Sequence, residues 1–254
     1  MKSSLFDLRD RVVIVTGGAV GIGKVYAERL VEAGAQVAIA DVAAGESAAL
    51  AERLGANALS VPTDISDPAA VERMAEATLA RFGRIDGLVN NASLMSALPR
   101  RSWLEIPLEE WDRVMAVNLR GLFLCCRAVV PAMRRQGRGR IVTIASTRVF
   151  EGTPNRLHYT TSKAGVVGFT RALAREVGGD GITVNCIAPG RTLSETQIAG
   201  SDPAYLNDGS DALRALARAQ VPDDLVGALM FLLSDASAFV TGQTLVVDGG
   251  KVMH

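Results

Sequence analysis

The 254-residue sequence predicts an α/β fold: one domain built on a doubly wound, mostly parallel, seven-stranded sheet with helices on both faces. Three observations predict it. Short β-branched runs alternate with longer amphipathic stretches along the whole chain. The runs are continuously apolar, as strands covered by helices on both sides are. A glycine-rich turn follows the first run and opens a helix. Strand, helix, strand repeated throughout means parallel strands joined by right-handed crossovers.

In chain order the strands are "RVVIVT" (11–16), "QVAIAD" (36–41), "NALSVP" (57–62), "IDGLVN" (85–90), "RIVTIAS" (140–146), "ITVNCIAP" (182–189) and "QTLVVD" (243–248). Helical periodicity falls near 21–33, 45–54, 67–82, 107–135, 158–178 and 222–234. Only 191–219 loses the rhythm. Its "RTLSETQIAGSDPAYLNDGSD" is polar, holds Gly and Pro, and exceeds an ordinary connection, so it reads as either a substrate lid or a disordered loop.

Composition narrows the function. Lys+Arg and Asp+Glu both total 27, so charge suggests neither a nucleic-acid surface nor an anionic membrane, and a small, roughly neutral ligand fits better. Cys125, Cys126 and Cys186 are odd in number and lack metal-ligand spacing; they read as reduced packing residues, with no metal expected. "MKSSLFDLRDRVVIV" has no continuous apolar stretch after its basic residue, and no run approaches the length that spans a bilayer. A soluble cytoplasmic protein is the expectation.

"TGGAVGIG" (16–23) follows the first strand directly. Gly17, Gly21 and Gly23 let the backbone turn tightly and approach a ligand, while free N–H groups at the helix start favour a pyrophosphate. The alternative is an ordinary Gly-rich turn. Asp41, about twenty residues beyond and at the end of the second strand, can accept hydrogen bonds from an adenine-ribose diol and would repel a 2'-phosphate. Val20 offers no cation to such a phosphate, so the pair points to NAD over NADP. The alternative for Asp41 is a solvated acid at a strand end.

The chain has three tyrosines and four lysines, and one of each meets in "YTTSK" at Tyr159 and Lys163. Hydride transfer at a carbinol carbon needs a group that exchanges the alcohol proton. A lysine four residues along a helix shares the tyrosine's face and favours its phenolate. The bland alternative is an exposed helical pair. Ser146 in "TIAST" ends the fifth strand, where a hydroxyl can hydrogen-bond a substrate oxygen as charge develops; alone it would read as a turn residue.

On these motifs the chain resembles the short-chain dehydrogenase/reductase family, a Rossmann-fold group, over roughly residues 8–251. "TGGAVGIG" fits TGxxxGxG, Ser146 stands thirteen residues before Tyr159, and "NNA" (90–92) and "PG" (189–190) also match. The resemblance implies Tyr159 as acid/base, Lys163 as ribose ligand and tuner of the tyrosine, and Ser146 as orienter of the substrate oxygen. Asn118 in "VMAVNLRG" matches the helix asparagine that supports a water-linked proton path. Ile22 belongs to the glycine motif. Asp64 and Ile65 match the adenine-contacting pair, Asn91 and Ala92 the loop near the ribose, and Pro189 and Gly190 the turn before a hydroxyl near the carboxamide, either Thr192 or Ser194. A homotetramer is implied as well, with interfaces on the long helices and the last strand.

Ser93 stands where many members have Gly, and it either alters the backbone beside the nicotinamide or reaches substrate. "ITVNCIAPG" and "FVTGQTLVVDGG" look similar to NAD-dependent secondary-alcohol dehydrogenases of the 1-phenylethanol type; "NNAS" and "EGTPN" look more like pyridoxal 4-dehydrogenase. Both suggest a small cyclic or aromatic alcohol or carbonyl. Ser93, Met95, Ser146, Arg148, Phe150 and Tyr159 are the expected substrate contacts, with Leu157 as further apolar wall and Arg148, Arg156 or Arg191 able to pair with an anionic substituent. The alternative for each arginine is a solvated surface charge. A pyridoxal, polyol or sugar dehydrogenase of the same family is the runner-up, and a cofactor-binding scaffold without turnover the competing class, which the intact Asn118, Ser146, Tyr159, Lys163 set disfavours.

Overall fold

The computed structural model describes residues 5–96, 98–199 and 209–253. The stretch 200–208 inside the expected 191–219 excursion, and the closing His254, lie outside the described residues. Seven strands form one sheet: β1 Val12–Thr16, β2 Gln36–Asp41, β3 Ala58–Pro62, β4 Gly87–Asn90, β5 Gly139–Ile144, β6 Ile182–Pro189 and β7 Thr244–Val247. Their order is β3-β2-β1-β4-β5-β6-β7, and every pairing is parallel, so the sheet expected as mostly parallel is wholly so. The order reverses between β1 and β4, which opens a crevice at their carboxyl ends, the usual ligand position in such sheets.

Alternate residues of each strand feed two cores. Ile14, Leu88, Ile141 and Val184 pack on one face with Met74, Val129 and Met133; Val13, Val15, Ile39, Val142 and Ile187 pack on the other with Tyr26, Leu30, Leu225 and Leu229. The covering helices are α1 Gly21–Glu32, α2 Ala44–Leu54, α3 Pro68–Phe82, α4 Leu108–Met115, α5 Leu122–Gln136, α7 Leu157–Val177 and α9 Asp223–Leu233, with two short ones, α6 Arg148–Glu151 and α8 Glu195–Ala199. Local chemistry sets their ends. Asp67 caps α3 by accepting from the Ala69 N–H at 3.0 Å, with Pro68 at the first helical position, and Gly83 leaves the helix at φ 78°.

The helix expected near 107–135 is two helices joined by a π-helical turn, Ala116–Gly121. The combined stretch Leu108–Gln136, 29 residues, is long and apolar enough to cross a membrane by length and composition, contrary to the sequence expectation. Half of its most apolar window is buried in this fold, where Leu124, Cys125, Val129 and Met133 meet the sheet, so its apolarity serves the core. Cys125, Cys126 and Cys186 are free thiols buried in these cores, and burial pushes the Cys126 thiol up to about 12.

The three motif glycines differ in what they do. Gly17 and Gly21 have φ of 60° and 58°, where a side chain is strained. Gly23 is ordinary in φ but a Cβ there would lie 1.9 Å from the Gly17 carbonyl oxygen, so α1 could not pack against the turn. Because that neighbour is backbone, Gly23→Ala should cost about 3 kcal/mol or more of unfolding free energy. Chemical denaturation of the two proteins without cofactor measures it.

Candidate active site

A cleft of about 510 Å3 runs along the carboxyl ends of the strands and takes its walls from the glycine turn, the β2, β3 and β4 ends, α4, the β5 end, α7 and the segment after β6. Of the expected cofactor residues, Gly17, Val20, Gly21, Ile22, Asp41, Asp64, Ile65, Asn91, Ala92, Pro189, Gly190 and Thr192 all line it. Gly23 does not, since it serves packing.

Asp41 is 6% exposed, not the solvated acid of the alternative reading. Its carboxylate accepts from the Ala19 N–H at 2.9 Å and the Ala43 N–H at 3.0 Å, tying the glycine turn to β2. On the other side, Thr16 Oγ1 accepts from the N–H groups of Asn91 and Ala92, both at 3.1 Å, while Asn91 Nδ2 donates to the carbonyls of Thr16 and Gly17. The turn is thus held from both neighbouring strands. Asp64 accepts from the Ser66 N–H at 2.8 Å, and a Cβ on Gly190 would lie 2.7 Å from Asp248 Cβ, so that turn also requires glycine.

Tyr159 and Lys163 are 6% and 3% exposed, which removes the exposed-pair alternative. Lys163 Nζ donates to the Ile144 carbonyl at 2.7 Å and lies 5.7 Å from the centre of the Tyr159 ring. Burial pulls the Lys163 pKa down to about 8. Ser146 sits two residues past β5, not on its last residue, and its Oγ accepts from the Arg148 N–H at 3.3 Å. Ser146, Tyr159 and Lys163 all line the cleft.

Asn118 does not line it. The π turn aims its side chain inward, where Oδ1 accepts from the Leu94 N–H at 2.8 Å and Nδ2 donates to Ser162 Oγ at 3.0 Å. Ser162 Oγ in turn donates to the Tyr159 carbonyl at 2.7 Å. This side chain therefore positions both the loop after β4 and the first turn of α7.

Ser93, Met95, Arg148, Arg156 and Arg191 line the cleft as expected, and Arg156 is 7% exposed, so it is no solvated surface charge. Phe150 and Leu157 do not line it. Phe150 packs against the apolar cluster that includes Leu122, Ala145 and Val167, and Leu157 is 46% exposed at the start of α7. Thr192 and Ser194 both line the cleft; Thr192 Oγ1 donates to the Gly190 carbonyl at 3.2 Å, and Ser194 Oγ accepts from the Gln197 N–H at 3.2 Å.

Sequence reasoning missed Arg100, Lys251 and Glu195. Lys251 and Arg100 come to the cleft from the chain end and from the long loop after β4, which no periodicity foretells. Glu195, in α8, accepts from the Gly21 N–H at 3.3 Å and pairs with Lys24 at 3.2 Å, so the segment after β6 is fastened to the start of α1.

A Gly-turn opening a helix, a buried carboxylate after β2 and a Tyr–Lys–Ser set on one cleft define a dinucleotide-dependent oxidoreductase of the α/β class. The comparisons with known proteins give the family. A short-chain dehydrogenase model described as enoyl-(acyl carrier protein) reductase matches residues 17–251. The chain is 42% identical over 260 residues to a probable galactose dehydrogenase of Rhizobium meliloti, covering 98% of each chain. It is 42% identical over 249 residues to the (2S)-[(R)-hydroxy(phenyl)methyl]succinyl-CoA dehydrogenase subunit of Thauera aromatica, covering 96% of this chain and 97% of that one. The crystal structure of a 3-ketoacyl-(acyl-carrier-protein) reductase from Brucella melitensis, complexed with NADH, superposes with a TM-score of 0.90 at 32% identity, covering 97% of this chain and 100% of that one. The chain belongs to the short-chain dehydrogenase/reductase family and is an oxidoreductase of the nicotinamide-using kind.

The buried ammonium makes a pH prediction. Lys163 has a folded pKa of about 8 against an ordinary 10.5, so the unfolded chain binds more protons between those values. The cost of burying the charge is fully present below pH 8 and is relieved as pH rises through that window. The unfolding free energy of the wild type minus that of Lys163→Met should therefore rise by about 3 kcal/mol from neutral pH to pH 10.5. Denaturant titrations of the cofactor-free proteins at a series of pH values check it.

Proposed function

We propose that this protein interconverts a small secondary alcohol, cyclic or aromatic, and its ketone with NAD(H), with Tyr159 as the acid/base. The observation that carries the reading is the buried Lys163 ammonium beside the Tyr159 ring, with Ser146 on the same cleft. In the oxidising direction the Tyr159 phenolate takes the alcohol proton, and the nearby cation favours that phenolate. Ser146 Oγ–H donates to the substrate oxygen, and Asn118 holds α7 and the Leu94 loop at the right separation. When bound, the nicotinamide takes up or supplies the hydride. Each Asp41 oxygen keeps a lone pair beyond its backbone contact, which suits a ribose diol, and its charge would face a 2'-phosphate; this supports NAD. Val20 offers no cation to a 2'-phosphate, and the Brucella melitensis reductase was complexed with NADH.

The phenyl carbinol named in the Thauera aromatica relative supports an aromatic substrate, and the probable galactose dehydrogenase favours a sugar or polyol as the second reading. A homotetramer belongs to the same proposal, supported by exposed Phe239 and Leu245 beside the β7 sheet edge; light scattering of the purified protein measures its mass.

A panel of secondary alcohols, sugars and polyols assayed with NAD and NADP decides between the two substrate classes. Tyr159→Phe should lower kcat/KM by about 1,000-fold while NADH affinity stays near wild type; substantial residual turnover defeats the assignment. Asp41→Ala should cut the NAD over NADP preference by at least about tenfold, read from kcat/KM with each cofactor.

A further inference from the structure

We propose that Glu151 and Lys251 form a hydroxyl-recognising pair at the substrate end of the cleft, so that the alcohol turned over carries a second hydroxyl near the reacting one. This rests on the dehydrogenase reading above and narrows it: the substrate is a diol or polyol, whether its carbon frame is aromatic or alicyclic.

Two distant parts of the chain bring the pair together. Glu151 is the last residue of α6, and Thr147, next to Ser146, donates from Oγ1 to Glu151 Oε1 at 2.8 Å. The Thr153 hydroxyl donates to Oε2 at 3.3 Å. Lys251 comes from the chain end, four residues past β7. There the buried Asp248 carboxylate accepts from the N–H groups of Gly250 at 2.9 Å, Lys251 at 3.1 Å and Val252 at 2.9 Å. That turn directs the chain end to the cleft, where Lys251 Nζ donates to Glu151 Oε2 at 2.8 Å. Both residues line the cleft, and their side chains are 20% and 23% exposed, so a ligand can reach them.

The hydrogen-bonding capacity of the pair is not used up. An ammonium has three hydrogens, and among the described residues Nζ gives one, to Glu151; a carboxylate has about four acceptor positions, and three donors meet this one. A hydroxyl answers both groups at once, since it accepts from Nζ and donates to the carboxylate. A charged substituent suits the pair less well, because one partner attracts it and the other repels it. An apolar substituent laid over the pair strips it of water and returns no hydrogen bond. Leu94 and Met95, on the loop after β4, offer apolar surface in the same cleft for the carbon frame. Thr147 links Glu151 to the residue after Ser146, so the second hydroxyl belongs close to the carbinol that Ser146 holds.

The test compares 1-phenylethanol with 1-phenylethane-1,2-diol, and cyclohexanol with the 1,2-, 1,3- and 1,4-cyclohexanediols. Each is titrated into the full-length protein saturated with NADH, read by nicotinamide fluorescence, and assayed separately for NAD reduction. At least one diol should bind about 10- to 100-fold more tightly than its parent mono-alcohol. A preference in the phenyl pair upholds the proposal with an aromatic frame, and one in the cyclohexane set upholds it with an alicyclic frame. Glu151→Gln and Lys251→Met should each lower the diol-to-mono-alcohol ratio by about tenfold. A loss shared equally by diol and mono-alcohol, with the ratio unmoved, shows an ion pair that only holds the fold and overturns the proposal. Where a variant fails to fold, the other variant and the wild-type ratio decide. If no diol binds more tightly than its parent, the pair is refuted, and oxidation of the mono-alcohols leaves the dehydrogenase reading standing. Tighter diol binding with no alcohol oxidised upholds the pair and defeats the dehydrogenase reading.

Discussion

Lys163 keeps an ammonium where water barely reaches, and much of the cleft is arranged around that cost. Its hydrogen bond to the Ile144 carbonyl can form only if α7 lies against the end of β5 at one height. A hydroxyl pair between Thr143 and Thr170, 2.7 Å apart and buried, sets the same height further along the helix. With α7 so placed, Tyr159 falls one turn before Lys163 and opens on the cleft, while Ser146, two residues past Ile144, faces it from the strand end. Moving the helix would strand a buried charge, which costs more than most packing defects.

The cofactor end of the cleft is secured differently, by backbone amides. Asp41 on β2 and the Thr16–Asn91 pair between β1 and β4 grip the glycine turn from its two flanks. Each bond is worth on the order of 1 kcal/mol net, so no single one holds the turn. Their convergence does, and it fixes the start of α1 at the point where the strand order reverses.

The strands were legible to within about two residues, because a buried parallel strand writes itself as an unbroken β-branched run. The π turn was not: shifting the helical hydrogen bonds by one residue over Ala116–Gly121 barely disturbs the apolar periodicity around it. The spacing of Ser146, Tyr159 and Lys163 was legible, since a strand end and one helical turn fix geometry locally. Phe150 was less so. Chemistry alone assigns the ring to a pocket wall, yet the four-residue α6 places it against the apolar cluster that includes Leu122 and Val167. Side-chain direction in short connections depends on partners far away in sequence.

Two electrostatic contacts at opposite ends of the cleft differ in what they cost to break, and the difference matches their places. The Lys163 contact is buried and its loss would leave an ammonium without its 2.7 Å acceptor. The Glu195 carboxylate meets Gly21 N–H and Lys24 at the surface, with side chains 55% and 33% exposed. Such a pair is worth within about 1 kcal/mol and weakens with salt. The N–H of Gly21 is therefore occupied by a contact that an incoming phosphate oxygen can replace at little cost. The chemistry end of the cleft is rigid where a proton must be handled at one atom, and the binding end is exchangeable where a ligand has to enter and leave.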